Sequence, residues 1–144
     1  MVVFSIQLIG SHFVGSKIIR QCIIKDSFKY NDFTSVKKTF KEVKYLFKIW
    51  CIISSERFYR IPLRTYKYSK GVLFVIDITN RSSLFYITED IIHIKQLKFN
   101  ADNSDKPIFY ILSNKCDIEN QRVISKEEVN NICEEHVNIL NVLR

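Results

Sequence analysis

The sequence has few of the residues that allow sharp turns. It contains 3 glycines and 2 prolines among 144 residues. Two of the three glycines, Gly10 and Gly15, lie in one short segment, IGSHFVGSK. Glycine permits positive φ angles and close approaches of the backbone that other residues do not. This segment is therefore a candidate for a functional loop.

Cysteine and histidine are too sparse for a disulfide framework or a zinc site. The 4 cysteines form no CxxC pair, and the 3 histidines do not complete a zinc spacing. We therefore expect reduced thiols in a cytoplasmic protein. No apolar run has membrane-spanning length, and the amino terminus lacks the features of a signal peptide. The carboxyl terminus, NVLR, has no prenylation box, so we expect any membrane association to be indirect.

The composition is that of a basic globular domain. A chain of this length usually forms one domain, and a hydrophobic content of 47% excludes a disordered chain. The net charge of +7 is consistent with an anionic partner or simply with solubility. No RNA-binding or helix-turn-helix signature accompanies the lysines, so we expect no nucleic-acid partner.

Strand and helix patterns alternate along most of the chain. The runs that predict strands are VVFSIQLIG, the pair TFKEV and YLFKIWCII, the apolar runs GVLFVIDI and PIFYILSN, and a last strand, VNILNVL. The runs that predict helices are SKIIRQCIIKD, SLFYITEDIIHIKQL with Ser82 or Ser83 as its cap, and SKEEVNNICEEH with Ser125 as its cap. The polar run YNDFTSVKK predicts a loop. Because continuous apolar strands are typical of buried parallel sheets, the fold class predicted is an α/β sandwich around a mostly parallel sheet.

Four polar segments follow predicted strands, where such sheets bind their ligands. They are the glycine loop, WCIISSERF, VIDITNRSSL and SNKCDIE. Together they resemble the Ras-like small GTPases, and Rab proteins most closely. The Rab pattern W-D-T-A-G-Q-E-R-F corresponds to W-C-I-I-S-S-E-R-F here, and KPIFYILSNKCDIENQRVISKEE is similar to the Rab guanine-binding segment almost without gaps. The resemblance extends from about Val3 to His136.

The resemblance implies a P-loop NTPase-like three-layer sandwich whose mostly parallel sheet has one antiparallel edge strand. It also implies a single small GTPase domain over residues 1–144, truncated so that it lacks the family's C-terminal helix. Members of the family bind GTP or GDP and act in vesicle trafficking through effector and regulator proteins. We therefore expect such partners here, and a cytoplasmic location peripheral to endomembranes.

The guanine-recognition motif of the family is N-K-x-D, and Asn114, Lys115 and Asp117 match it. In this motif a carboxylate accepts both N–H groups on one edge of guanine, and the lysine stem covers the ring. Phe28 falls near the aromatic residue that packs on the nucleotide in the family. A core phenylalanine is an equal alternative for that position.

The phosphate loop departs from the family pattern G-x-x-x-x-G-K-[ST]. Gly10, Val14 and Gly15 fit the loop, but Ser16 stands at the lysine position and Lys17 at the hydroxyl position. A lysine one residue further along a helix points about 100° away, so it does not replace its neighbour. The glycines and the helix amino terminus still offer an anion site.

The metal and hydrolysis residues of the family are altered further. Cys51 stands at the aspartate of D-x-x-G, and thiols are poor ligands for Mg²⁺. Ser54 replaces the glycine that senses the γ-phosphate, and Ser55 replaces the glutamine that orients water. An ungapped alignment places Ser35 at the threonine that closes over the metal, with Thr34 adjacent. We therefore assign no catalytic residue and no metal ligand, and we expect Cys51 to be a half-buried structural thiol.

Two main hypotheses follow. The first is a Rab-like small GTPase relative that binds GTP or GDP with weak or absent hydrolysis. The second is a pseudo-GTPase, a protein-binding module that works without a nucleotide cycle. A third, an anion- or nucleic-acid-binding domain, rests on charge alone.

Overall fold

The fold places the carboxyl ends of several parallel strands at one edge of a central sheet. The computed structural model describes residues 1–24, 33–53, 66–96, 106–136 and 139–143. Its elements in chain order are β1 (Val2–Gly10), α1 (Ser16–Ile24), β2 (Phe33–Phe40), β3 (Val43–Ile53), β4 (Gly71–Asp77), α2 (Arg81–Lys95), β5 (Ile108–Asn114), a 3-10 helix (Cys116–Gln121), α3 (Lys126–Glu135) and β6 (Ile139–Leu143).

The six described strands form one sheet in the order β2-β3-β1-β4-β5-β6. Every neighbouring pair is parallel except β2 and β3, which are antiparallel. The three apolar runs predicted as buried parallel strands are neighbours in the centre, as β1, β4 and β5. The predicted α/β class, with one antiparallel edge strand, is therefore confirmed. No helix of the described residues is long and apolar enough to cross a membrane.

Helices cover both faces of the sheet. Alternate residues of a strand point to opposite faces, and Ile9 and Leu8 accordingly belong to different clusters. The larger cluster packs α2 and α3 on one face; its buried members are Ile9, Tyr66, Val72, Phe74, Ile76, Leu84, Ile87, Ile91, Ile94, Phe109, Ile111, Ile124 and Val129. The smaller cluster, Leu8, Ile49 and Cys51, packs against Ile19 of α1. The result is the three-layer sandwich expected from the sequence.

The edge hairpin differs from the prediction. The segment YNDFTSVKK was expected to be a loop, but β2 begins at Phe33 and pairs with β3 from Phe33 opposite Trp50 to Phe40 opposite Val43. The predicted strand TFKEV is instead broken by a turn at Lys41 and Glu42, both with positive φ. The polar run forms a strand because its backbone groups pair with the long apolar strand β3. This effect of tertiary context cannot be inferred from the composition of the run itself.

Helix caps were predicted correctly for α3 and wrongly for α2. Ser125 caps α3 in a capping box with Glu128. The cap of α2 is Asn80, whose side chain accepts a hydrogen bond from the Ser82 N–H at 3.1 Å. Ser83, one of the two expected caps, is fully buried, and its hydroxyl donates to the Asn80 carbonyl at 2.7 Å.

A core substitution tests this layer assignment. Ile111→Val should lower the free energy of unfolding by about 0.5–1.5 kcal/mol, because Ile111 is fully buried in the larger cluster. The matched change Ile92→Val, at an exposed position of α2, should stay within about 0.5 kcal/mol of the parent. Urea unfolding followed by circular dichroism measures both. Equal effects would contradict the central position of β5.

Candidate functional site

The ends of β1, β4 and β5 meet at one edge of the sheet and define the candidate site. Gly10 is the last residue of β1, and Asp77 and Asn114 are the last residues of β4 and β5, opposite each other in register. Because parallel strands have their carboxyl ends at the same edge of the sheet, the glycine loop and the N-K-x-D segment lie together here. This is the edge at which α/β sheets bind their ligands.

Both glycines of the opening loop are required by close contacts. A Cβ on Gly15 would lie 2.5 Å from Asn114 Nδ2, and the φ of Gly15 is +92°. A Cβ on Gly10 would lie 2.6 Å from Val14 Cγ2 and 2.8 Å from the Val75 carbonyl oxygen. Larger residues at either position would push the loop away from the ends of the strands.

A side-chain hydrogen bond ties the loop to the N-K-x-D segment. Asn114 Nδ2 donates to the Val14 carbonyl at 2.7 Å, which joins residues 100 positions apart in the chain. Val14 is a residue of the loop, and its side chain is fully buried. The asparagine of the predicted base motif and the predicted phosphate loop therefore form one structural unit.

Lys115 and Asp77 form an ion pair beside this unit. Lys115 has a left-handed backbone conformation with φ 63°, and its Nζ donates to Asp77 Oδ2 at 2.5 Å. The other oxygen, Asp77 Oδ1, accepts from the Thr79 N–H at 2.9 Å and the Thr79 hydroxyl at 2.7 Å. Asp77 is only 4% exposed. Burial alone would raise the pKa of Asp77, but the bonds from Lys115 and Thr79 outweigh it and lower that pKa below its usual range.

Next to Lys115 lies a groove of about 730 Å³ with mostly apolar walls. Its lining includes Phe13, Ile18, Cys22 and Ile23 on one side and Asn114 and Lys115 on the other. Asp117 is exposed in the 3-10 helix that follows Lys115. The groove thus has mostly apolar walls, with the stem of Lys115 in one of them. The carboxylate of Asp117 lies two residues after Lys115 in the chain. Phe28, the aromatic residue expected here, lies outside the described residues.

The start of α1 separates the two inverted residues of the loop. Ser16 is buried, whereas Lys17 is exposed, as expected for neighbours about 100° apart on a helix. The first hydrogen bond of the helix runs from the Ile19 N–H to the Gly15 carbonyl at 3.0 Å, so the amides before Ile19 belong to the helix amino terminus. The buried Ser11 hydroxyl, in the loop, has no hydrogen-bond partner in the structure. These groups fit an anion.

The residues at the expected metal positions do not fit Mg²⁺. Cys51 is 4% exposed, so it is fully buried rather than half-buried as expected, and its thiol donates to the Ser16 carbonyl at 3.7 Å. Lys17 brings a positive charge to the hydroxyl position, and Ser35 is an exposed residue of β2 opposite Lys48. Within the described ranges no cluster of His, Cys, Asp and Glu could hold a metal. Ser54 and Ser55 lie outside those ranges.

Sequence reasoning missed the ion pair of the site. Asp77 was noticed only as part of the segment VIDITNRSSL, and Thr79 was given no role. The signal was available, because Asp77 lies near the end of one predicted buried strand and Lys115 directly follows another. Only the order of the strands shows that β4 and β5 are neighbours, which is what brings the two charges together.

Comparison with known proteins agrees with the family resemblance seen in the sequence. The chain matches the Ras family over residues 5–141. It is 29% identical over 140 residues to Ras-related protein Rab-10 of Caenorhabditis elegans, covering 92% of this chain and 67% of the relative. It is also 29% identical over 140 residues to Ras-related protein Rab-13 of Canis lupus familiaris, covering 92% and 66%, and 29% identical over 136 residues to Ras-related protein Rab-4 of Dictyostelium discoideum, covering 90% and 64%. The chain spans about two thirds of the length of these relatives.

The ion pair should make a pH-dependent contribution to the free energy of unfolding. Asp77→Asn should lower the free energy of unfolding by about 1.5–3 kcal/mol, the usual worth of a hydrogen bond to a charged group. Because the pKa of Asp77 is lowered in the folded protein, this contribution is complete above the ordinary aspartate pKa of about 3.9 and is lost as the pH falls through the folded value. Urea unfolding from neutral pH to below pH ~4 measures it.

The matched control is Asp117→Asn, an exposed carboxylate of the same segment. It should change stability by less than about 0.5 kcal/mol throughout. A difference between Asp77→Asn and the parent that is the same at all pH values would mean that the charge of Asp77 does not stabilise the fold.

Proposed function

This chain belongs to the Ras family, and from that premise we propose that it is a Rab-like small GTPase relative that binds guanine nucleotides and has weak or no GTP hydrolysis. Its role is in vesicle and membrane trafficking, through effector and regulator proteins of small GTPases. The observation that carries the proposal is the Asn114 hydrogen bond to Val14, which unites the base motif and the phosphate loop in one site.

The base half of the site supports a preference for guanine. Asp117 is exposed and follows Lys115 at the spacing of N-K-x-D, so its carboxylate is the group that accepts the two N–H donors of guanine. Adenine presents a different edge, with an acceptor where guanine has a donor. The stem of Lys115 lines the groove beside it, and its ammonium is held by Asp77. The nucleotide base would lie against this apolar wall.

The phosphate half supports weaker binding. Gly10 and Gly15 keep the loop close to the strand ends, and the amino terminus of α1 supplies amides and a positive dipole end. The lysine that reaches the outer phosphates in the family is replaced by the buried Ser16. The nucleotide would therefore be held through its base and through backbone amides, with less compensation of the phosphate charge.

Hydrolysis is disfavoured because Mg²⁺ supplies the charge neutralisation that phosphoryl transfer needs. The residues at the metal positions, Lys17, Ser35 and Cys51, do not form a hard oxygen site. The Cys51 thiol already contacts the Ser16 carbonyl at the start of α1. That contact favours a second candidate function, a pseudo-GTPase that binds proteins without nucleotide, because it packs this part of the loop through the protein's own groups.

Hydrolysis of GTP by the purified protein should be at or below the background rate, with or without Mg²⁺. Ser16, Lys17 and Cys51 are the natural residues at three positions of the family pattern. Each of them lacks a different element of phosphoryl-transfer chemistry. A phosphate-release assay measures the rate, with an ordinary Rab protein as the positive control. Turnover comparable to that control would show that other residues have taken these roles, and it would contradict the proposal of weak hydrolysis.

Nucleotide binding should be guanine-selective, nearly independent of Mg²⁺, and micromolar or weaker. Charge-assisted contacts are worth about 1.5–3 kcal/mol each, so the loss of the metal and of the loop lysine weakens a tight site by orders of magnitude. Calorimetric titration of GDP and ADP measures the affinity and the selectivity. Asp117→Ala should abolish the preference for GDP, whereas Glu119→Ala, a nearby carboxylate of the same 3-10 helix, should keep it.

The same titration can be carried out on a variant in which the lysine and the hydroxyl residue of the loop stand in the family's order. The double variant Ser16→Lys with Lys17→Ser should tighten GDP binding if the phosphates lie on the loop. Equal affinity for GDP and ADP would mean that NKCD is only a connecting segment. No binding of either nucleotide would leave the pseudo-GTPase as the better description.

A further inference from the structure

The turn between β2 and β3 exposes two apolar side chains at the end of a hairpin. Phe40 is 64% exposed and Val43 is 41% exposed. They are opposite each other in the β2–β3 register, so both side chains lie on the same face of the hairpin. These two residues and the turn residues Lys41 and Glu42 between them form the hairpin tip. Single exposed apolar side chains are common on protein surfaces, so the feature that distinguishes this pair is the charge around it.

Lysines surround these two residues. Lys37, Lys38, Lys41 and Lys44 are all exposed, and Glu42 is the one acidic residue between Phe33 and Ile53. Residues two apart share a face of a strand, so Lys38 lies on the same face as Phe40. Lys37 and Lys44 lie on the other face. The Nζ of Lys41 is 5.6 Å from the centroid of the Phe40 ring.

The tip is held in place by a continuous ladder. Strands β2 and β3 pair without interruption from Phe33 opposite Trp50 to Phe40 opposite Val43. The two turn residues, Lys41 and Glu42, have φ of 45° and 66° although neither is glycine. Positive φ at both central residues is the geometry of the two-residue I′ turn, whose twist matches that of the strands it joins. The apolar pair is therefore presented by ordered backbone, and binding through it needs little further ordering.

We propose that the hairpin tip docks on a membrane rich in anionic phospholipid, with Phe40 and Val43 entering the interface and the four lysines contacting the lipid phosphates. An apolar pair framed by lysines fits the boundary between headgroups and acyl chains. Each lysine close to such a surface raises the binding constant about fivefold. A single-stranded nucleic acid would match the lysines and could stack a base on Phe40, but it offers no acyl region that Phe40 and Val43 enter together.

This docking is independent of nucleotide binding. The tip joins the amino end of β3, and Cys51 lies near its carboxyl end, roughly 25–30 Å away at the rise of an extended strand. The candidate site therefore faces away from a membrane that the tip contacts. Failure of nucleotide binding would leave this proposal unaffected, and the reverse also holds.

Cosedimentation with vesicles tests the proposal on the full chain. Binding should be clear with vesicles of phosphatidylcholine and phosphatidylserine, weak with phosphatidylcholine alone, and reduced by salt. Phe40→Ser should reduce binding several-fold. The matched control is Phe85→Ser, because Phe85 is 62% exposed on α2, far along the chain from the hairpin. Lys41→Gln should reduce binding about fivefold, whereas Lys126→Gln, an exposed lysine at the start of α3, should have a much smaller effect.

Fluorescence reports insertion directly. Trp50 is the single tryptophan of the chain, so Phe40→Trp combined with Trp50→Phe places one probe at the tip. Its emission should shift to the blue on adding phosphatidylserine vesicles. The control, Phe85→Trp combined with Trp50→Phe, should show no such shift in its emission. Two results would overturn the proposal: no vesicle binding, whether or not the protein binds single-stranded RNA, or equal losses of vesicle binding for Phe40→Ser and Phe85→Ser.

Discussion

The hydrogen bond from the Asn114 side chain to the Val14 carbonyl is the contact on which the rest of the site depends. It brings the end of β5 so close to the opening loop that residue 15 has no room for a Cβ. Gly15 must also adopt a positive φ, which glycine alone accepts without strain. The shape of the loop is therefore set by the asparagine of the base motif, and the two halves of the site cannot be altered independently.

The two halves differ in the kind of chemistry they retain. At the base half, the charges of Lys115 and Asp77 compensate each other, and Thr79 satisfies the remaining carboxylate oxygen. At the start of α1, the Cys51 thiol contacts the Ser16 carbonyl, and Cys51 stands where the family pattern has a carboxylate. Soft and neutral groups bind hard cations poorly. In the proposed nucleotide site, recognition would therefore depend on hydrogen bonding and apolar contact, because these residues do not offer Mg²⁺ a hard oxygen site.

Most of the central sheet could be predicted from the sequence, because β4 and β5 are continuous apolar runs and β1 is a β-rich run that alternates. The strand β2 could not be predicted, because its lysines, threonines and serine favour a loop by composition and its strand structure depends on pairing with β3. Asn80 was missed as the cap of α2 because Ser82 and Ser83 are equally good caps by type. The ion pair of Asp77 with Lys115 was missed for a third reason, since pairing of residues 38 positions apart depends on strand order.

The same strand, β3, connects the hairpin tip to the edge of the candidate site, and this constrains how the two can influence each other. The strand pairs with β2 from Val43 to Trp50 and with β1 from Tyr45 to Ile53, so both ladders hold its central part. A strand fixed by two ladders transmits no local rearrangement unless many hydrogen bonds break together. Docking through the tip would therefore orient the whole domain on a surface without altering the loop after β1. A dependence of membrane contact on bound nucleotide would have to come from segments other than this hairpin.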